Sequence, residues 1–353
     1  MESVTATGAP ARSALGLQPF RGARLPLRDV GFTRRAEAGR VAGRHPEILA
    51  LPGPPSLYVH EWTSPGFTVR AVVGALDLAR PGARILAHEA VDRAQVDHLR
   101  RWMERLDVQP APLLLVHRGG GELSALLDRV SADATLVDFT DRRGQRHRIW
   151  RLDDPDDETH LCGAVANADL LIADGHHRHA AYQEMRASRP GGPSELGLVG
   201  IIDHDDTPLH IGAIHRVLAG VELETLVDAA RGLGLEVDLL GAGDPLAHLS
   251  PGRLVLTDGT RTALVTARAL PVVDLDSLIA VQPAPPHVAY WHAAPSALGS
   301  RRRHGGTAAL LPALTVDEVL QTVSRGTLLP AKATSFQPKP TIGLMMRSLA
   351  PPR

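Results

Sequence analysis

The spacing of apolar positions changes character several times along the chain, and each change marks an element. From Asp92 to Leu106, DRAQVDHLRRWMERL, the residues Val96, Leu99, Met103 and Leu106 recur every three or four positions, which predicts one amphipathic helix. Shorter apolar runs without that repeat read as strands: LYVHEW behind a Pro-rich turn, GFTVRAVVGALDL, RILAH after a Pro-Gly turn, and APLLLVHR, stopped by Gly119, Gly120 and Gly121. ATLVDFTDRRGQRHRIWRL predicts two strands joined at Arg143-Gly144, and DDPDDETH a solvated loop or a helix start. ADLLIA predicts a further strand, followed by a helix on which Ala181 and Met185 share a face. LGLVGIID and LHIGAIHRVL read as strands, VELETLVDAARGLGL as a helix, and the chain to about residue 283 as several short apolar strands. In TVDEVLQTVSRG, Thr315 and Glu318 stand in capping-box spacing with Gly326 at the helix end. No repeat appears. The pattern predicts a mixed α+β chain, a short-stranded mixed sheet with flanking helices.

Length and charge narrow the picture. With 353 residues the chain exceeds the usual size of one domain. The expected organisation is a loose N-terminus over 1–18, a core over 19–220 with an insertion at about 118–168, and a C-terminal α/β region over 221–353 whose tail returns to the site. Lys and Arg number 38 and Asp and Glu 39, a formal charge of −1 that gives no reason to expect a nucleic-acid partner. The one cysteine, Cys162, cannot form an internal disulfide. The N-terminus lacks the apolar core of a signal peptide, and no run approaches a membrane span, so a cytoplasmic protein is expected. A homo-oligomer remains open.

One stretch, LLIADGHHRHAAYQEM at 170–185, concentrates ionisable groups at a strand-to-helix junction. A tight turn at Asp174-Gly175 would aim the free N–H groups of the following helix at whatever lies over it, which is the making of an anion site. Gly175 permits close backbone approach, Arg178 would fork onto a phosphate, and His176 and His177 add donors that titrate near neutrality. Neither a Walker loop nor a GxGxxG turn is present. As a metal site Asp174, His176 and His177 have poor spacing for a tetrahedral set, and a magnesium ion carried with a nucleotide is the better reading. His88 and Glu89, between a strand and the Asp92–Leu106 helix, offer a general base, or else an acidic residue favoured at a helix start. Arg216, Lys332 and Lys339 read as further lining of a basic pocket or as ordinary strand and surface residues. SRRRHGG at 300–306 reads as a solvated basic loop, and Trp102 and Trp150 as packing.

The order of HE, amphipathic helix, apolar strand and IADGHHRHAAYQ resembles the ParB/sulfiredoxin-like superfamily, particularly its free serine kinase branch. Through HEAVDR, LIADGHHRHAA, IHRV and the tail AKATSFQPKPTIGL, most of the chain resembles the domain-of-unknown-function 1015 family. The kinase resemblance implies Glu89 as the base that deprotonates a substrate hydroxyl. It implies that Asp174, Gly175, His176, His177 and Arg178 hold the phosphates of ATP or ADP and any bound Mg2+. The implied activity is a nucleotide-dependent kinase or phosphotransferase acting on a small hydroxylated metabolite such as free serine. A nucleotide-binding regulatory protein that hydrolyses slowly and needs no acceptor is the alternative, and a binder of a phosphorylated metabolite a third. Three features depart from the pattern. More than fifty residues separate His117 from Asp174, Ala331 and Ala333 replace tail residues, and no N-terminal Pro-Tyr-Asp stretch occurs. Sulfiredoxin chemistry would need a cysteine where His176 stands, and no recognition-helix pair supports DNA binding.

Overall fold

The computed structural model describes residues 16–31, 47–79, 84–166 and 168–350. The Pro-Gly turn before RILAH and most of the N-terminal stretch expected to be loose lie outside them. The chain divides into two compact units, Met1–Leu86, Val91–Leu209 and Pro338–Arg353 in the first, and Ala87–Ala90 and His210–Gln337 in the second. The fold is mixed α+β, with eight α-helices and several sheets among the described residues.

The first unit is built on one mixed sheet. Its strands are β1 (Leu17–Gln18), β2 (Leu57–Ser64), β3 (Phe67–Asp77), β4 (Arg84–Leu86), β5 (Leu113–His117), β6 (Val137–Thr140), β7 (Arg146–Leu152), β8 (Asp169–Asp174) and β9 (Leu196–Asp203). They run in the order β4-β8-β5-β9-β3-β2-β7-β6, with β1 beside β3. Only β8 with β4 and β9 with β5 pair in parallel. The hairpin β2–β3 turns through Pro65-Gly66, and β6–β7 through a loop in which the Asp141 carboxylate accepts the N–H groups of Arg143 and Gln145. Four helices accompany the sheet, α1 (Arg93–Leu106), α2 (Ser124–Ser131), α3 (Pro155–Val165) and α4 (His176–Ser188). Asp92 caps α1 by accepting from Ala94 N–H at 2.9 Å, and Val96 and Met103 face the core as the spacing predicts. DDPDDETH is a helix start: Asp154 caps α3, with Pro155 in the first turn, where a missing N–H costs nothing.

The second unit carries a wholly antiparallel sheet of β10 (His215–Ala219), β11 (Glu236–Leu240), β12 (Arg253–Thr257), β13 (Thr262–Thr266), β14 (His287–Trp291) and β15 (Thr307–Leu310). Its order is β11-β13-β12-β15-β10-β14. Its helices are α5 (Leu223–Gly232), α6 (Pro271–Ala280), α7 (Ala294–His304) and α8 (Val316–Ser324), the last with its capping box in place. Three departures from the sequence reading have clear causes. The run of apolar strands ends at Thr266, because Val272, Leu275 and Leu278 stand at helical spacing and Asp274 ties down the entry by accepting from Arg268 and Ala269 N–H. LHIGAIHRVL divides at Gly212, His210–Gly212 pairing with the tail strand Ser335–Gln337 while His215–Ala219 joins the main sheet. The basic run 300–306 is the last turn of α7, where cations suit the helix dipole, and Arg301 Nε donates to Gly306 O.

Between β2 and β7 of the first unit lies a buried polar chain. His60 Nε2 and His147 Nδ1 are 3.2 Å apart, and His147 Nε2 lies 3.7 Å from Asp141 Oδ2, with all three residues out of solvent. Burial holds His60 well below the ordinary histidine range. At His147 burial likewise dominates, against an opposing pull from Asp141, and holds it at about 4. Both rings are neutral in the folded protein at pH 7, whereas the unfolded chain takes up protons near pH 6.5. Stability from this pair is therefore full above pH 6.5 and falls as the pH drops toward 4, by about 3 kcal/mol for His147 alone at 1.36 kcal/mol per unit. Urea denaturation of the parent and of His147→Gln at a series of pH values should show a shallower acid loss in the variant, and parallel curves would remove His147 as its source.

Candidate functional site

Strand β8 ends at Asp174 and helix α4 begins at His176, so the junction that stands out in the sequence is one residue long. Gly175 makes it possible. Its φ is +106°, a region that L side chains rarely adopt, and an added Cβ would lie 2.9 Å from Arg178 Nη2 and 3.0 Å from Leu113 Cδ2. Because Gly175 has no side chain, it gives the first turn of α4 no side-chain cap, and Gly175 O accepts from His179 N–H at 2.8 Å. The helix is anchored from behind by Ala181, Tyr182 and Met185, which are buried, and Tyr182 Oη donates to Ala111 O.

Asp174 is the hub of this corner. Its Oδ2 accepts from Arg178 Nη2 at 2.8 Å and its Oδ1 from Lys339 Nζ at 2.5 Å. Burial pushes the carboxyl up, but Arg178 and Lys339 outweigh burial and hold it at about 2. It is a fixed negative charge at any physiological pH, not a proton carrier. Arg178 is less free than its place in the sequence suggests. Its Nη2 also donates to Pro112 O at 3.0 Å, and the guanidinium lies under the Gly175 turn. Lys339 by contrast is nearly half exposed. The histidines carry no charge either. Burial lowers His176 to about 4 against the pull of Asp174, and burial also lowers His177 and His179. At neutral pH they are neutral hydrogen-bonding rings, and His177 Nε2 accepts from Asp92 N–H at 3.0 Å, tying the α4 start to the α1 cap.

The second unit holds His88 and Glu89, and neither belongs to a helix start, since Asp92 is the α1 cap. Their segment is stitched to the tail: Leu329 N–H donates to His88 O at 2.7 Å, and Glu89 bridges Leu329 in parallel. Thr334 completes the arrangement. Its hydroxyl lies 2.8 Å from His88 Nε2 and 3.3 Å from Glu89 Oε1, while its N–H points at the same carboxylate oxygen. His88 is fully buried beside Phe336, whereas the Glu89 side chain is about one-fifth exposed.

Two residues along the tail, Lys332 places Nζ 4.5 Å from the centre of the Tyr290 ring, and Arg216 approaches the same ring at 5.6 Å. Arg216 and Tyr290 are directly paired across β10 and β14, which puts both side chains on one face of the sheet. The residues singled out in the sequence thus fall into two sets. Asp174 to Arg178 are gathered with Lys339 in the first unit, and His88, Glu89, Arg216 and Lys332 lie along one tail segment in the second. Thr334, Tyr290 and His179 were not singled out as site residues. Thr334 had a signal, standing in the tail motif, but nothing local in the sequence couples Tyr290 to Arg216, 74 positions away.

Comparison with known proteins gives the setting. The sequence profile of a family described as Protein of unknown function (DUF1015) matches residues 44–277. No curated protein matches. Among solved structures, a mutant of a free serine kinase in complex with ADP matches with a TM-score of 0.46 and 15% identity over 78% of this chain and 92% of that one. SbnI from Staphylococcus aureus, truncated at its C-terminus, gives 0.46 and 14% over 78% and 87%, and a conserved hypothetical protein from Pyrococcus furiosus gives 0.41 and 15% over 76% and 90%. No helix among the described residues is long and apolar enough to cross a membrane.

The turn geometry makes a direct prediction. Gly175→Ala should cost about 1–3 kcal/mol through positive φ and the clash with Arg178 and Leu113. Chemical denaturation measures it, and a loss no larger than that of Gly→Ala at the open, negative-φ site Gly163 would show that the turn tolerates a side chain.

Proposed function

We propose nucleotide-dependent phosphoryl transfer to a small hydroxylated metabolite for this chain, which belongs to the DUF1015 family. The observation that carries the reading is the uncapped start of α4 behind Gly175, with the exposed Lys339 ammonium at its edge. A helix start of this kind supplies backbone N–H groups and positive dipole, and the lysine supplies a full charge, which suits the phosphates of ATP or ADP. The order of the motifs, shared with the free serine kinase branch of the ParB/sulfiredoxin-like superfamily, supports the same reading.

The roles divide as follows. The nucleotide, when bound, supplies the phosphoryl group. The α4 N–H groups and Lys339 hold phosphate oxygens and offset their charge. Arg178 acts from beneath, fixing Asp174 and the turn, and is a positioning residue. Asp174 holds Lys339 in place. Because both of its oxygens are taken by cations, it does not fit a resident magnesium ion, and Mg2+ enters only as the nucleotide's own counter-ion. Glu89 takes the proton of the acceptor hydroxyl as that oxygen forms a bond to the terminal phosphorus of the nucleotide and the bond from this phosphorus to its bridging oxygen breaks, the nucleotide leaving one phosphate shorter; His88 and Thr334 orient the Glu89 carboxylate.

The test is a paired one on the purified full chain. ATP with magnesium should raise the melting temperature of the parent and of Glu89→Gln alike, by mass action on the native state. Phosphoryl transfer to an acceptor hydroxyl should fall roughly 10²–10⁴-fold in the variant. Equal transfer by both proteins would remove Glu89 from the reaction, and no response to any nucleotide would remove the proposal. ATP hydrolysis indifferent to every acceptor would favour the regulatory alternative.

A further inference from the structure

The second unit's six-stranded sheet ends in two edge strands of opposite character, β11 (Glu236–Leu240) and β14 (His287–Trp291). An edge presents N–H and C=O groups that a further strand can take up, and natural proteins guard such edges with charge or proline. β11 is guarded. Its exposed positions include Glu236 and Asp238, and in the antiparallel register that pairs all five residues with a second copy, Asp238 meets its own counterpart, carboxylate to carboxylate. β14 has no such guard, for HVAYW contains no lysine, arginine, carboxylate or proline. It pairs with β10 on one side, and among the described residues its N–H and C=O groups make no hydrogen bond on the other. The Lys332 ammonium meets the Tyr290 ring but donates to no carbonyl of the strand.

A second observation points to what completes this edge. Trp291 packs against the cluster of Val217, Ala294 and Ala297, and its Nε1 is buried with no hydrogen-bond acceptor among the described residues. An indole N–H left in that state is a cost that an added acceptor removes. Antiparallel pairing of β14 with itself, about a two-fold axis at Ala289, supplies one. Ala289 then meets Ala289, Val288 meets Tyr290, and Trp291 meets His287 of the second copy, each unlike pair occurring twice. Directly opposed side chains share one face of a sheet, so the exposed His287 ring stands beside the Trp291 indole, and a ring nitrogen accepts from Nε1. Tyr290, 38% exposed, gains the β-branched Val288 as its cross-strand neighbour. We propose that the chain forms a two-fold dimer through β14, joining two six-stranded sheets into one. The occupant is a second copy because each unmet group on the strand finds its complement on the same strand, which is the condition a two-fold interface sets. The pairing needs no nucleotide and stands or falls apart from phosphoryl transfer.

The experiment combines sedimentation velocity of the full chain, over roughly 1–300 μM, with oxidative cross-linking of cysteine variants. The parent should pass from monomer to dimer within that range. His287→Ala, which truncates an exposed side chain, should raise the dissociation constant about fivefold, the effect of one lost hydrogen bond per pair. Ala289→Cys should give a covalent dimer on mild oxidation, because opposed residues of an antiparallel pair lie about 4.5–5.5 Å apart at Cα, within reach of a disulfide. His287→Cys, although more exposed, should not, since four residues of strand, roughly 13 Å, separate its two copies. The only other thiol, Cys162, is buried. A parent that stays monomeric throughout, a dimer indifferent to His287→Ala, or cross-linking of His287→Cys as readily as Ala289→Cys would each overturn the proposal. A dimer in which Ala289→Cys forms no cross-link would do the same, placing the interface on another surface.

Discussion

The contact on which the first unit's candidate site depends is the grip of one carboxylate, Asp174, on two cations from different parts of the chain. Arg178 comes from the next turn and Lys339 from 165 residues downstream. Removing either cation would leave a partly buried charge short of a partner, and such losses cost more than an exposed ion pair returns. The pair therefore ties the tail to the strand-to-helix junction, fixing the position of Lys339 relative to the open first turn of α4. Gly175 belongs to the same constraint, because only a residue without Cβ lets Arg178 reach back under the turn.

This arrangement changes where positive charge comes from. The sequence presents three histidines and an arginine around the turn, and each would be counted as attraction for an anion. In the folded chain His176, His177 and His179 are held neutral by burial, and Arg178 is spent on Asp174 and Pro112 O. The positive character left at the turn is that of the start of the α4 backbone and of Lys339. The histidines contribute shape and neutral hydrogen bonds, as His177 does in binding the Asp92 N–H.

The elements were legible wherever periodicity alone decides them. Helix α1, the hairpin at 137–152, strand β8 and the capping box of α8 fall where apolar spacing and cap residues put them. Helix α6 was not legible as a helix, because β-branched Val272 and Val273 beside Leu270 read as strand while the deciding contact, Asp274 back to the loop amides, shows only in three dimensions. At the site, the sequence located the charged groups but not their partners. Asp174 and Arg178 stand four apart with a strand end and a helix start between them, so no helical pairing rule joins them. Arg216 and Tyr290 meet only because β10 and β14 take one register. Partner identity is a property of register and topology, and those are set by long-range burial.

The tail shows how a motif without local structure can still be specific. Between Leu329 and Lys339 the chain contributes one short strand, and most of its residues act one at a time: Leu329 on His88, Lys332 on Tyr290, Thr334 on Glu89, and Lys339 on Asp174. Lys332 has a φ of +57°, an unusual conformation for a residue with a side chain. A segment whose contacts alternate in this way cannot slip by one residue without exchanging every partner, much as a strand changes face when its register shifts. Its spacing is therefore as strict a requirement as that of the Asp174–Arg178 turn, although neither periodicity nor propensity announces it.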